Sequence, residues 1–331
     1  MKKIINDPNL VVRDMLDGFV AAYPREVRLL PGTTVIARVD APAANKVGLV
    51  SGGGSGHEPA HAGYVGEGML DAAVAGEVFT SPTPDQVLEG IKSVDAGEGV
   101  LLVIKNYTGD VMNFDMAAEL AEAEGIQVEQ VIVNDDVAVE DSSFTTGRRG
   151  IAGTVFVHKL AGAKAEAGGT LAEVKAVAEK TIKNVRSIGM AITPCTVPAA
   201  GTPSFTLEEN EMEIGIGIHG EPGIERKPIT SADDIAVELT NKVLADLKPE
   251  SGTEVAVMVN GLGGTPEMEL YIVNKKVKEL LTDKGIRIYD TFVGEYMTSL
   301  EMAGVSVTLL KLDDELKELL DAKSKAPAFR R

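Results

Sequence analysis

The sequence predicts a layered α/β fold, Rossmann-like in its N-terminal part, followed by a second and smaller α/β unit. Three short apolar runs, 46–50, 100–104 and 127–133, have the composition of strands that are buried in a parallel sheet. Amphipathic helical segments alternate with these runs. An alternation of strand and helix is typical of a layered α/β domain.

Two helices of the first unit carry clear start signals. Thr83 and Pro84 begin one of them, and Gln86 stands where it would complete a capping box. The other begins at Thr170, with Glu173 three residues later. Its apolar positions keep the helical period: Leu171, Val174, Ala178, Ile182, Val185 and Ile188.

A second unit is predicted to begin near Gly189, which divides the chain into residues 1–188 and 189–331. Proline and glycine within 193–206 predict a long loop in this unit, and long loops often carry function. The other predicted elements are a strand at 211–220, a helix at 231–247, a strand at 254–259, a helix from Thr265 to Gly285, strands at 286–289 and 305–309, and a helix at 313–322.

Composition narrows the class of protein. The 331 residues correspond to about two domains. The formal net charge of −18 argues against nucleic acid and anionic membranes as partners, since both are held mainly by lysine and arginine. A single cysteine, Cys195, allows no intrachain disulfide and suits a reducing cytosol. No stretch approaches the roughly 20 apolar residues of a membrane span. We therefore expect a cytoplasmic protein.

The first candidate site is the glycine-rich stretch 51–61, which follows the predicted strand 46–50. Glycines in a turn let the backbone approach a ligand and offer N–H groups to it. The stretch has no lysine for a phosphate-binding P-loop, and its glycine spacing misses the dinucleotide fingerprint. A hydrolase nucleophile elbow needs glycine where His57 stands, so Ser55 is not predicted to be a nucleophile.

Residues 57–61 also fit the H-E-x-x-H string of zinc proteases. That chemistry requires both histidines on one face of a continuous helix. Pro59 suits only the first turn of a helix, and the glycines before His57 make a longer helix unfavourable. We therefore expect no metal site, and interpret His61 as a partly buried helix residue.

The second candidate site lies in 211–220. Period-two alternation places Met212, Ile214, Ile216 and Ile218 on one buried face, and Glu213, Gly215, Gly217 and His219 on the other. Two glycines within a strand often mark a place where another group approaches closely. A histidine at the end of that face fits a ligand site, and it fits a solvent-facing position on an edge strand equally well.

The third candidate is the loop 105–110, which follows the predicted strand 100–104. Ligands of doubly wound sheets bind beyond the carboxyl ends of strands. The two loops would therefore bring His57, Lys105 and Asp110 into one crevice. Asp110 fits equally well as the N-cap of a helix at 111–124.

A pair of arginines, Arg148 and Arg149, precedes another predicted helix. Backbone N–H groups at a helix N-terminus favour anions, so this pair could hold one. We prefer the interpretation of a solvated loop for both residues.

Four segments, 52–61, 105–110, 146–154 and 213–220, together resemble the dihydroxyacetone kinase family, in particular its substrate-binding K subunits. The resemblance runs over essentially the whole chain, in order. It implies an α/β N-terminal domain, a smaller two-layer α/β C-terminal domain and a homodimer.

The resemblance also implies roles for individual residues. It implies that His219 attacks the ketone carbon of dihydroxyacetone and holds it as a covalent hemiaminal. His57 and Asp110 would act as acid and base on the substrate hydroxyls. The remaining matches are to substrate-binding positions: Gly54, Ser55, Gly56 and Lys105.

The phosphoryl donor is the point where family members differ. Single-chain members carry a further nucleotide-binding domain after this region, whereas this sequence ends at Arg331 without a phosphate loop or a plausible Mg²⁺ site. The resemblance then implies a phosphotransferase-system-dependent member, with no cofactor in this chain. ADP or ATP with Mg²⁺ would sit on a partner L subunit, rephosphorylated by a phosphocarrier M subunit.

Two alternatives stay open. Some relatives act as ligand-sensing co-activators of transcription, although a sensor would need only His219 and its pocket, so the additional presence of His57 and Asp110 favours catalysis. The substrate itself is also open, because glyceraldehyde or a four-carbon ketose could form the same adduct.

Overall fold

The structure is a computed structural model that describes residues 2–139 and 147–331; Thr146, the first residue of one segment in the family resemblance, lies outside them. The helices are α1 (Val11–Ala22), α2 (Pro84–Val94), α3 (Thr108–Ala123), α4 (Thr154–Glu166), α5 (Leu171–Asn184), α6 (Ala232–Leu247), α7 (Glu267–Asp283) and α8 (Asp314–Asp321). The strands are β1 (Val27–Leu29), β2 (Val35–Arg38), β3 (Gly48–Ser55), β4 (Ala72–Val78), β5 (Val100–Lys105), β6 (Val128–Val133), β7 (Val185–Ala191), β8 (Glu211–Ile214), β9 (Glu225–Pro228), β10 (Glu254–Gly261), β11 (Arg287–Gly294), β12 (Gly304–Leu312), β13 (Lys325–Ala326) and β14 (Phe329–Arg330).

The first sheet has the order β1-β2-β4-β3-β5-β6. Strands β4, β3, β5 and β6 are parallel neighbours, whereas β1 and β2 pair antiparallel at one edge. Helices α2 and α3 cover one face around Ile91 and Phe114. Helices α4 and α5 cover the other face around Phe156 and Val174. Because both faces are covered by helices, the parallel strands read as the apolar runs seen in the sequence.

The second sheet has the order β11-β10-β12-β7-β8-β9 and is antiparallel except for the β10–β11 pair. Helices α6 and α7 pack on one face around Leu239 and Val273. The other face, with Met258 and Leu310, belongs to the same apolar core as Val103 of the first sheet. The predicted mixed α/β fold is therefore confirmed, and one core joins the two sheets. None of the helices in the described ranges is long and apolar enough to cross a membrane.

The helix that begins after Thr170 is shorter than predicted. Its capping box is confirmed, because Thr170 and Glu173 bond each other's backbone N–H groups. The helix ends at Asn184, and both Val185 and Ile188 lie in β7. Buried apolar residues continue from the helix directly into strand β7. Their spacing happens to match the helical period, so the predicted helix extended too far, to Ile188. Strand β7 begins a few residues before the boundary predicted at 188/189, and that division into domains stays a prediction.

The capping box predicted for α2 is wrong. Thr83 is the N-cap residue, but its side chain makes no capping hydrogen bond. The Gln86 carboxamide oxygen instead accepts the backbone N–H of Thr34 at 2.8 Å. Gln86 therefore joins α2 to the chain before β2, and this tertiary contact replaces the local one.

Two glycine-bearing segments differ from their predictions in opposite ways: a predicted turn is a strand, and part of a predicted strand is a turn. The glycines after Val50 continue strand β3 as far as Ser55, where a turn was expected. They fit there because β4 lies close; a Cβ on Gly52 would lie 2.3 Å from the Val74 carbonyl oxygen. Conversely, the strand predicted for 211–220 ends at Ile214, because Gly215 turns the backbone with a φ of +76°.

A buried ionic cluster holds the beginning of the first sheet together. Asp71 accepts the backbone N–H of Leu49 at 2.8 Å and pairs with Lys46 Nζ at 2.5 Å and an Arg38 guanidinium nitrogen at 3.1 Å. All three charged side chains are buried. Strands β2, β3 and β4 are therefore connected by one carboxylate.

We expect Asp71→Ala to lower the free energy of unfolding by about 3–5 kcal/mol, because it removes the closest counter-charge of the buried Lys46 and leaves that ammonium with Glu166 at 4.0 Å. The midpoint of urea denaturation measures this loss. Asp17→Ala is the control, since Asp17 pairs with Arg13 on the exposed face of α1. Its loss should stay below about 1 kcal/mol. Equal losses for both variants would contradict the role given to Asp71.

Candidate active site

An open cleft of about 780 Å³ lies where the carboxyl ends of β3 and β5 meet the turn after β8. Parallel strands end at the same edge of a sheet, which is where ligands bind in α/β proteins. Of the residues predicted for the site, Gly54, Asp110 and His219 line this cleft. The other predicted residues do not line it: Ser55, Gly56, His57 and Lys105.

His219 is held by a carboxylate two residues later. Its Nδ1 lies 2.6 Å from Glu221 Oε1, and its backbone N–H donates to Glu221 Oε2 at 2.9 Å. An ionised carboxylate only accepts hydrogen bonds, so Nδ1 carries a proton, and in the neutral form of the ring the lone pair is on Nε2. The His219 side chain is 18% exposed, so this basic nitrogen is accessible from the cleft.

Glu221 is ionised in spite of its burial. Burial alone would raise its pKa, but His219 and Arg149 together lower the pKa of Glu221 to about 2. Gly217 makes room for this arrangement, because a Cβ there would lie 1.9 Å from Glu221 Oε2 and 2.7 Å from Arg149 Nη1. The close approach expected at the glycines of 211–220 is thus made by the protein's own carboxylate.

Arg149 connects this turn to the first sheet. Its Nε donates to Asp136 Oδ2 at 2.8 Å, and Nη2 donates to the Gly215 carbonyl oxygen at 2.7 Å. The side chain is fully buried, so the expected solvated loop is wrong for Arg149. Arg148 is half-buried and pairs with Asp246. No local pattern indicates either carboxylate partner, because Asp136 lies 13 residues before Arg149 and Asp246 lies 98 residues after Arg148.

His57 lies beside His219 in a fully buried position. The ring centroids are 4.8 Å apart, and Phe79 stacks on His57 at 5.1 Å. Nδ1 lies 2.8 Å from the Thr298 carbonyl oxygen and must donate to it, which leaves Nε2 without a partner among the described residues. Burial lowers the pKa of His57 well below its usual value, and His219 and Lys105 lower it further. The ring is therefore a neutral base.

Asp110 and Lys105 form a second group of charges. Asp110 accepts a hydrogen bond from Ser81 Oγ, and its Oδ2 lies 3.7 Å from Lys105 Nζ. Burial lowers the pKa of Lys105, while Asp110 opposes this shift. Helix α3 has Tyr107 as its N-cap, so the alternative of Asp110 as the N-cap residue is wrong.

Ser55 and Gly56 contribute shape and not side-chain contacts to the cleft. The Ser55 hydroxyl donates to the Gly76 carbonyl oxygen at 2.7 Å. Gly56 has a φ of +104°, and a Cβ on it would lie 2.8 Å from the Phe79 ring. Gly56 therefore leaves room for the ring that stacks on His57.

The zinc-protease string does not form a helix. A 3₁₀ helix begins only at Ala62, and His61 is buried immediately before it, so the helix position expected for His61 is wrong. His57 and His61 also bond different partners, Thr298 and His158. In the described ranges, no group of three or more histidine, cysteine or acidic residues could hold a metal ion.

Sequence reasoning missed Glu221 and the two rings around His219. The Tyr107 centroid lies 4.6 Å from that of His219, and the Phe79 centroid lies 5.2 Å away. Glu221 could have been found as a carboxylate two residues after a histidine in a glycine-rich segment. No local sequence pattern indicates a role for Phe79. It follows β4 directly, and it lies at the site because β4 pairs with β3 in the sheet.

Comparisons with known proteins show which proteins this chain is similar to. A family model described as the Dak1 domain matches residues 17–328. Over 315 residues, the chain is 58% identical to the dihydroxyacetone-binding subunit DhaK of PTS-dependent dihydroxyacetone kinase 1 from Listeria innocua serovar 6a, covering 95% of each protein.

Two solved structures are similar in fold and sequence. One is the dihydroxyacetone kinase of C. freundii in complex with AMP-PNP and Mg²⁺, with a TM-score of 0.92 and 36% identity over 99% of this chain and 61% of that one. The other is the dihydroxyacetone kinase operon co-activator Dha-DhaQ, with a TM-score of 0.89 and 38% identity over 95% of this chain and 97% of that one.

The ionised state of Glu221 predicts a pH dependence of stability. Its pKa of about 2 lies below the ordinary value of 4.5, so its stabilisation is fully present above pH 4.5 and is lost as the pH falls towards 2. We expect the difference in free energy of unfolding between the native protein and Glu221→Gln to shrink across this range. Urea unfolding at several pH values measures it. A difference that is constant with pH would contradict the assignment.

Proposed function

Because the chain belongs to the Dak1 domain family, we propose that it is the dihydroxyacetone-binding subunit of a phosphotransferase-system-dependent dihydroxyacetone kinase. The reaction transfers a phosphoryl group to a hydroxyl of dihydroxyacetone. The observation that carries this proposal is the pairing of His219 Nδ1 with the buried Glu221 carboxylate, which places the lone pair of the neutral ring on Nε2 beside an open cleft.

The substrate is bound through a covalent bond. His219 Nε2 attacks the ketone carbon, a C–N bond forms, and the C=O π electrons move to the oxygen. The Nδ1 proton of His219 passes to the Glu221 carboxylate, which releases it to the solvent of the open cleft, and the substrate oxygen takes one proton from that solvent. The proton count is therefore conserved, and the ring in the hemiaminal ends neutral. Dihydroxyacetone offers few other contacts, and a reversible bond supplies the affinity that these contacts lack. Glycerol has no carbonyl group and is excluded.

Proton transfer from the substrate hydroxyl is the role of Asp110 and His57. The Asp110 carboxylate lines the cleft, and His57 is a neutral, buried imidazole with an unpartnered Nε2 next to His219. Both groups are able to accept a proton from a hydroxyl of the bound substrate. General acid–base catalysis of this kind contributes typically 10²–10⁴-fold to a rate.

The phosphoryl donor belongs to a partner subunit. The Listeria relative is named as the dihydroxyacetone-binding subunit of a PTS-dependent kinase, and it matches this chain over 95% of both lengths. We infer that ADP or ATP with Mg²⁺ is held by an L subunit, where it supplies the phosphoryl group. The family resemblance also supports two domains divided near residue 188, a homodimer and a cytoplasmic location.

The deciding assay measures formation of dihydroxyacetone phosphate. The chain is incubated with dihydroxyacetone and ATP alone, and then with a purified L subunit and its phosphodonors. Product in the second mixture only is the expected result. Adduct formation without phosphorylation in any mixture would favour a co-activator like Dha-DhaQ, and glyceraldehyde and a four-carbon ketose as competing substrates would define the specificity.

We expect His219→Ala to abolish the covalent adduct, because no other nucleophile of the cleft is positioned as His219 is. Carbon-13 NMR of carbonyl-labelled dihydroxyacetone measures this as loss of the ketone signal with the native protein and its retention with the variant. Equal loss with both proteins would contradict the role of His219.

We expect His57→Ala to keep the adduct and to lower phosphoryl transfer at least about 10²-fold, because it removes a general base and leaves Nε2 of His219 in place. The same NMR measurement and the reconstituted kinase assay separate the two effects. A variant that loses adduct and transfer together would show that His57 supports the nucleophile instead.

A further inference from the structure

We propose that His61 and His158 are positioning residues, which restrain the Lys105 ammonium at a distance from Asp110 so that the Asp110 carboxylate stays available to the substrate. The inference rests on the proposed function, in which Asp110 accepts a proton in the cleft. It gives a role to the second histidine of the string at 57–61, which no metal explains.

Lys105 acts on the cleft only through its neighbours. Its side chain is fully buried and does not line the cleft. Its Nζ lies 3.1 Å from His61 Nε2 and 3.7 Å from Asp110 Oδ2. A charge-assisted N–H···O bond is ordinarily about 2.7–2.9 Å long, so the contact with Asp110 is stretched while the contact with His61 is of ordinary length. The ammonium is thus held on the histidine side.

The hydrogen bonds that link Lys105, His61 and His158 allow one arrangement of their protons only. An ammonium group donates and never accepts, so His61 Nε2 must be the acceptor. The His61 proton is then on Nδ1, which lies 2.9 Å from His158 Nε2 and donates to it. The His158 proton is consequently on its Nδ1, which has no partner among the described residues. His158 therefore fixes the tautomer of His61 that can accept from Lys105.

Burial keeps both rings in the state that this arrangement needs. Burial lowers the pKa of His61 well below its usual value, and Lys105 and His158 lower it further. Burial and the charge of Lys105 lower the pKa of His158 to about 3. Both rings are neutral at physiological pH, and His61 keeps its acceptor nitrogen.

Removing the acceptor has a definite consequence. Among the described residues, the Lys105 ammonium would be left with Asp110 as the one carboxylate within 4.0 Å and would close the 3.7 Å gap to a direct hydrogen bond. Asp110 Oδ1 already accepts from Ser81, so both carboxylate oxygens would then be occupied. A direct charge-assisted bond from Lys105 would make the Asp110 carboxylate a weaker proton acceptor, while His219 and Glu221 would be unchanged.

The test uses the native chain and three variants in the reconstituted kinase assay and in carbon-13 NMR of the adduct. We expect His61→Leu to leave the adduct unchanged and to lower kcat roughly tenfold to a hundredfold, the size expected for a misplaced catalytic group. His61→Gln keeps an acceptor for Lys105 and a donor for His158, so it should restore most of kcat. His158→Leu removes the acceptor that fixes the proton of His61 on Nδ1, so either tautomer of His61 can form. It should lower kcat less than His61→Leu does.

Tyr64→Phe is the matched control. Tyr64 is fully buried and packs against the His158 ring with centroids 6.1 Å apart, but its hydroxyl bonds the Tyr296 carbonyl oxygen and is not part of the chain. We expect its adduct and kcat to stay within about twofold of native. Equal kcat losses for His61→Leu and His61→Gln, or parallel losses of adduct and kcat, would overturn the proposal in favour of a packing role.

Nitrogen-15 NMR of the imidazoles separates this inference from the proposed function, because it needs no substrate. At neutral pH, His61 and His158 should each be protonated on Nδ1 only. A proton on His61 Nε2 would overturn the proposal even if the kinase is active. A native protein that shows the expected tautomers but forms neither adduct nor product would overturn the function and leave the chain of hydrogen bonds standing.

Discussion

The carboxylate of Glu221 is the group on which the other parts of the site depend. It fixes which nitrogen of His219 carries the proton, and its charge is balanced by Arg149. Arg149 in turn bonds Asp136 after β6 and the Gly215 carbonyl oxygen after β8. One buried ionic chain therefore fixes both the protonated Nδ1 of His219 and the place of this ring relative to the first sheet, where His57 and Asp110 lie.

The site keeps its imidazoles neutral by burying them near a positive charge. His57, His61 and His158 all lie where burial opposes protonation, and Lys105 adds to this effect in each case. Only His219 has a carboxylate beside its ring. One of the four histidines is thus paired with an anion, and the other three are neutral hydrogen-bond donors and acceptors. The difference comes from their surroundings, because all four have the same side chain.

The strong local signals predicted the framework well. The apolar run at 100–104 became β5, and the capping box at Thr170 begins α5. Patterns that depend on tertiary contacts failed. The glycines after Val50 continue a strand because β4 packs closely against them. The Gln86 side chain accepts the backbone N–H of Thr34 and does not complete the capping box of its helix. A local sequence pattern holds no information about the distant segment that packs against it in the fold.

The same limit applies to the site. Three segments found in the sequence do meet at one cleft, since strand ends of a parallel sheet lie at one edge. The burial of Arg149 and its link to Glu221 could not be predicted, because a pair of arginines in a loop is ordinarily solvated. The hydrogen bond from the Ser55 hydroxyl to the Gly76 carbonyl oxygen could not be predicted either, and the contact of Ser55 with the substrate stays a prediction.

The open cleft has a kinetic consequence. A small ligand in an open site usually leaves quickly, because little surface holds it and no lid must move. The covalent bond proposed for His219 would make the residence time of the ligand independent of how enclosed the cleft is, because the ligand would depart only when the C–N bond breaks. The site can therefore stay open to a large donor protein between encounters, and a substrate captured before one collision is still in place for a later one.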